Sequence, residues 1–247
     1  MRYKRTQKGN PHMLTINQHV LPTRSISRFA GHDGNVDFYN QKTSAKLRIR
    51  PGNNLFCVQR IWDESTEKVF IKGIEDAFQP IADRIIETTT VLTAQDSHVI
   101  SIFHALWRLR AEAKVSPAID QPLIGLLPGK GFTKDEQEKL ESQHFGYIRD
   151  GLNIPGRILI GSRIKTYVGR LCRNSIAWGI IRSKHAEFVV PDTFGALAVV
   201  PLSSTICLIG DVNNAIISKK KVAEINRIAW RESLEYCFAR DFLKCPS

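Results

Sequence analysis

The chain has 247 residues, 43% of them hydrophobic with four Trp and twelve Phe, which is enough to bury a large core and excludes wholesale disorder. Its 35 Lys and Arg against 24 Asp and Glu leave a net charge of +11, and the absence of any run of about 18 apolar residues predicts no membrane span. The surplus is uneven: residues 1–50 hold ten basic against two acidic side chains, 51–150 hold 11 against 15, and 151–200 hold seven against two.

Residues 1–13 read as a flexible basic arm without the apolar centre of a secretion signal, which fits retention in the cytoplasm. The rest, 14–247, reads as a single α+β domain with sub-lobes at 14–115 and 133–247. Pro22 suits the first turn of a helix and predicts one over Pro22–Phe29. Gly31–Gly34 ("GHDG") is a turn. "VDFYN" and "AKLRIR" alternate apolar and polar residues, the pattern of a hairpin buried on one face, and "LFCVQRIW" reads as a third strand.

A helix follows from about Ser65, with Phe70, Ile74, Phe78, Ile81 and Ile85 at helical spacing and a kink or restart expected at Pro80. A second runs from Asp96, as N-cap, to Glu112. Thr133 and Glu136 have the form of a capping box opening a helix that runs to about His144. Arg157–Cys172 reads as a helix. "SIAWGIIRS", "AEFVVPD", "ALAVVPL" and "TICLIGD" read as short strands of one antiparallel sheet, and a long terminal helix spans Lys220–Arg240.

Five cysteines, Cys57, Cys172, Cys207, Cys237 and Cys245, are odd in number and widely spaced, with no Cys-x-x-Cys pair. That argues against a disulfide framework and a zinc site and fits a reducing compartment. Four read as small core residues and Cys245 as an exposed one; a catalytic thiol is the lesser reading for each. "GLLPGKGFT" carries Gly129-Lys130 but lacks the phosphate-loop spacing. No metal site is readable, and no cofactor is expected.

The segments "NQHVLPTRSISRFA" and "GNVDFYNQKT" resemble the opening of DUF4238, a bacterial family of unknown function. The likeness continues at Glu75 in "KGIEDAFQPIADRI", in "HALWRLR", and in the ending "FVVPDTFGALAVVPLSSTICLI…VAEINRIAWRESLEYCFARD". Pro191-Asp192-Thr193-Phe194 departs from the Ser-Asp-x-Pro usual in that family. The resemblance implies an α+β fold and a bacterial origin; it implies no reaction.

Candidate acid–base residues are His19, Glu75 with Arg110 as its basic partner (Arg108 being the other candidate), and Asp192. Each has a structural alternative: His19 closing the start of the Pro22 helix, Glu75 in a buried ion pair, Asp192 capping a turn. Asn226, a poor helix former, implies a specific hydrogen bond. Arg157, Arg163, Lys165, Tyr167, Arg170 and Arg173 form a basic run without an acid. Arg163, Tyr167 and Arg170 share one helical face that offers charge and a stacking surface. These features support three expectations: a nucleic-acid-acting enzyme, nuclease-like and of toxin or phage-defence type; a non-catalytic module for nucleic acid or protein; or an enzyme on a phosphorylated small molecule.

Overall fold

Among the described residues, two four-stranded sheets, two two-stranded ones and the helices packed on them share one core that draws on residues from Val20 to Phe238. The computed structural model describes residues 5–88, 90–125, 129, 131–149, 151–171 and 176–247, so Lys130, Cys172 and Arg173 lie outside the described residues. Its class is α+β, as expected, with 41% of residues helical and 19% in strands.

β1 (Asn17–His19) leads through Pro22 into the short helix α1 (Thr23–Ser27). The expected hairpin forms from β2 (Val36–Asn40) and β3 (Lys46–Ile49), with Val36 opposite Ile49. Gly34, at φ +73°, closes the preceding turn in a conformation that favours glycine. The third strand is shorter than expected and goes elsewhere: β4 (Cys57–Gln59) pairs antiparallel with β1, which puts Cys57 opposite His19. Leu55 and Phe56 belong instead to a 3-10 turn, Asn54–Phe56, capped by the Asn53 side chain.

The chain then enters a π-helical turn, Thr66–Ile71, that runs straight into α2 (Lys72–Glu87). Pro80 lies within α2 and starts no new helix, correcting the expected restart. Burial of Phe78, Ile81, Ala82 and Ile85 offsets the one backbone bond that Pro80 removes. α3 (Ala94–Val115) is buried on nearly every side, through Ile100, Phe103, Leu106, Trp107 and Ala111, as befits a helix at the centre of a core. Its N-cap is Thr93; Asp96 sits three residues on as the second half of a capping box. Phe78 of α2 stacks on Phe103 of α3 with ring centroids 3.7 Å apart.

β5 (Gln121–Pro122) pairs with β6 (Asn153–Ile154) around α4 (Lys134–Ser142), whose Thr133–Glu136 capping box is present as expected. α4 also receives the N-terminal arm: the Gln7 amide donates to Glu138 and His12 meets Asp135 at 2.8 Å. α5 (Gly156–Leu171) packs on α3. A Cβ at Gly156 would lie 2.1 Å from the Ala118 carbonyl, so only glycine permits this approach.

The β-rich C-terminal runs do not form one sheet. β7 (Trp178–Ser183), β9 (Val199–Ser203) and β10 (Ile206–Gly210) pair antiparallel, with β11 (Ala215–Ile217) added parallel to β7. β8 (Val190–Pro191) leaves for the other sheet, whose order is β3-β2-β12-β8. Here β12 (Tyr236–Ala239) replaces the last third of the expected terminal helix, since α6 (Lys219–Glu232) stops at Ser233. Cys237 and Phe238 thus lie on a fully buried strand between β2 and β8, and one core joins Val20 near one end to Phe238 near the other. Asn226 fastens α6 to this sheet: it accepts from the Val189 amide at 2.9 Å and donates to the Glu187 carbonyl at 3.0 Å. Among the described residues no helix is long and apolar enough to cross a membrane.

Candidate functional site

Two of the four candidate acid–base residues, Glu75 and Arg110, pair between α2 and α3, and His19 senses the Arg110 charge. Arg110, 2% exposed, donates to Glu75 of α2 at 2.5 Å and lies over the Trp62 ring at 5.4 Å. The Trp62 indole in turn donates to Glu67, which the π-helical turn directs inward, at 2.5 Å. Burial raises the Glu67 pKa, with Arg110 and the indole opposing. Glu75–Arg110 is therefore a largely buried ion pair, its structural alternative, with a second carboxylate at its flank.

His19 is half-buried at the end of β1. Its Nε2 lies 3.1 Å from the Thr23 hydroxyl and its Nδ1 lies 3.4 Å from Cys57 Sγ. Burial first, and then the charge of Arg110, lower its pKa, which keeps the imidazole neutral at physiological pH. Burial pushes the Cys57 thiol up to about 11 against the pull of Lys114 and Arg110. The resting pair is a neutral thiol beside a neutral imidazole.

Asp192 is a turn cap. It is 1% exposed and accepts from the amides of Leu234 and Glu235, both at 2.8 Å, and from the Ser233 hydroxyl at 3.3 Å. The loop it closes is the one that ends α6 and starts β12, so its structural alternative is the geometry observed. Tyr236, wholly buried, feels the charges of both Asp192 and Cys57, and its hydroxyl has no hydrogen-bond partner among the described residues.

A cleft of about 510 Å³ opens beside this group, between β4, the C-terminal end of α3 and the start of α5. Cys57 lines it, and Arg60, Lys114, Arg149 and Arg157 give it cationic walls. Each cation is held by a carboxylate. Lys114 meets Glu235 at 2.8 Å and covers the Tyr236 ring at 4.8 Å; Arg149 meets Asp120. Arg60 and Arg157 share the buried Glu141 at 2.9 and 2.6 Å. Four cations thus face three carboxylates, Glu235, Asp120 and Glu141, and Glu141 is only 2% exposed. Low exposure strengthens whatever attraction these walls exert on an incoming anion.

The expected basic face divides. Arg163, Tyr167 and Arg170 are exposed along α5, with Arg170 stacked over Tyr167 at 5.4 Å. Lys165 turns aside to Ser65 at 3.3 Å. Arg157 points to Glu141 and the cleft, so this member of the run does have an acid, which corrects that reading; Arg173 lies outside the described residues. Cys207 and Cys237 are core residues as expected, whereas Cys57 and Cys245 are half-buried.

Sequence reasoning read Cys57 as a core residue, with a catalytic thiol as the lesser reading, and passed over Lys114, Arg149, Arg60 and Glu141. The one available signal for Cys57 was strand register, because pairing of "NQH" with "CVQ" sets His19 against it. Among the described residues no three His, Cys, Asp or Glu side chains gather as metal ligands. No family model matches the chain, and neither a curated protein nor a solved structure does so.

Proposed function

We propose that the protein binds a small phosphorylated molecule in the cleft beside Cys57. The observation that carries this reading is the wall itself: Arg60, Lys114, Arg149 and Arg157 around one concavity of about 510 Å³. That size falls within the range of small-molecule sites, roughly 300–1,000 Å³. Guanidinium forks suit phosphate oxygens in pairs, and an anion entering here offsets the excess of cations over carboxylates. Membership of DUF4238 is a separate proposal, supported by the quoted motifs, and bears on ancestry more than on ligand.

Calorimetric titration with inorganic phosphate and pyrophosphate tests the reading. Saturable binding is expected, weakened at least ten-fold by Lys114→Met or Arg149→Met in variants whose melting stays cooperative. Absence of binding, or affinity unchanged in both variants, would overturn it.

The exposed stripe of Arg163, Tyr167 and Arg170 favours a second reading, a nucleic-acid partner with His19 as acid–base group if the protein is a nuclease. The same titrations with a single-stranded oligonucleotide separate the two. Binding that falls steeply with salt and is lost in the Arg163→Ala/Arg170→Ala double variant supports the second.

A further inference from the structure

We propose that Cys57 is a nucleophile with His19 as its general base, acting on an acyl compound that carries an anionic group. This rests on reading the cleft as the site of a small anion.

The geometry has the three parts that such a thiol requires. The nucleophile lines the cleft, where a bound molecule can reach it. The base lies behind it, with Nδ1 3.4 Å from Sγ. A third group orients the base, since Thr23 Oγ1 is 3.1 Å from Nε2. In the tautomer protonated at Nε2 the ring donates to Thr23 and Nδ1 is the nitrogen that takes the thiol proton; the Pro51 carbonyl, a hydrogen-bond acceptor for the ring, is a further group that holds it. The pairing of β1 with β4 fixes both side chains on rigid backbone. Lys114 and Arg110 from α3 place positive charge near the sulfur, while Glu67 opposes them and Tyr236 and Glu235 complete the surroundings.

Cys57 Sγ–H passes its proton to His19 Nδ1 as the sulfur attacks the acyl carbon. The S–C bond forms, the carbonyl electron pair moves to oxygen, and its return expels the leaving group. That group takes the proton back from His19, and a thioester is left. Water then attacks with His19 accepting its proton; the C–S bond breaks, the thiol regains its proton, and the net reaction is hydrolysis. The walls select an anionic substrate, and their charges offset the developing thiolate.

Alkylation of the full-length protein, followed peptide by peptide in a mass spectrometer, reads this directly. Cys57 is expected to react at least ten-fold faster than Cys245, a half-buried thiol that meets the Asp241 carbonyl and has no histidine hydrogen bond among the described residues. Anionic iodoacetate is expected to outpace neutral iodoacetamide at Cys57, relative to their ratio on a free thiol. His19→Gln is expected to slow the reaction at least ten-fold. Thr23→Val, a milder change on the exposed side of the ring, is expected to slow it several-fold and shift its pH profile. Rates at Cys57 equal to those at Cys245, or unchanged in both variants, would overturn the proposal. Phosphate titration of Cys57→Ala keeps the two ideas separable: binding retained there with unreactive Cys57 in the wild type removes the nucleophile and spares the cleft.

Discussion

Replacing Arg110 by Met is expected to cost about 3–5 kcal/mol of folding stability, the scale on which a buried ion pair loses one partner. The guanidinium is 2% exposed and serves two acids from separate elements, Glu75 of α2 at 2.5 Å and, through its charge, Glu67 on the π-helical turn. Met fills the volume and covers Trp62, so packing loss is small. The cost comes from Glu75, left without its ion-pair partner, and from Glu67, which burial already drives toward protonation and which loses a nearby cation. Urea unfolding of the variant measures this. Recovery of much of the loss in the Arg110→Met/Glu75→Gln double variant would confirm coupling, whereas a loss under about 1 kcal/mol would refute it. His19 responds as well: with the Arg110 charge gone, its pKa is expected to rise toward the ordinary imidazole value, measurable by NMR titration.

Stability is expected to fall as pH drops from about 6.5 to about 4, through His104. This ring lies inside α3, 2.8 Å from the Leu197 carbonyl and edge-on to Trp178, and burial lowers its pKa to about 4. In the window between the two values the unfolded chain binds a proton that the folded chain does not, so acid favours unfolding. The contribution is complete above the unfolded value and is lost as pH falls toward the folded one. At about 1.4 kcal/mol per pH unit it amounts to about 3 kcal/mol. Because carboxylates also begin to titrate near the lower end, the difference between wild type and His104→Gln isolates it. Parallel stability curves for the two proteins would count against the assignment.

Features fixed by neighbours in sequence were legible. The Thr133–Glu136 box, the β2–β3 hairpin and α5 all follow from short-range hydrogen bonding or period, and the structure has them. Errors arose where a distant partner decides. Leu234 and Cys237 continue the helical period of α6, but Asp192 gathers the Leu234 and Glu235 amides and turns the chain into a strand. The run "AEFVVPD" resembles its neighbours in composition, yet β8 joins the other sheet because β12 offers it an edge. Arg157 looked like one of several solvated arginines until α4 brought Glu141 beside it.

The cleft escaped notice for the same reason. Its walls draw on residues 57–61, 114, 117–120, 149, 156–157 and 235, which share no local motif. Glu75–Arg110 was legible because each sits on a strongly periodic helix, so that facing sides could be inferred. His19 was noticed as a polar residue before a proline-started turn; its partner thiol lies 38 residues on and was read as core.

Protection of Cys57 by phosphate tests the central claim most directly, because it asks whether the anion and the thiol share one cavity. Iodoacetate labelling of Cys57 is expected to slow at least ten-fold as inorganic phosphate saturates the protein, at constant ionic strength and with half-protection at the calorimetric Kd. Lys114→Met should need correspondingly more phosphate. Labelling that proceeds at the same rate with and without saturating phosphate would contradict the account.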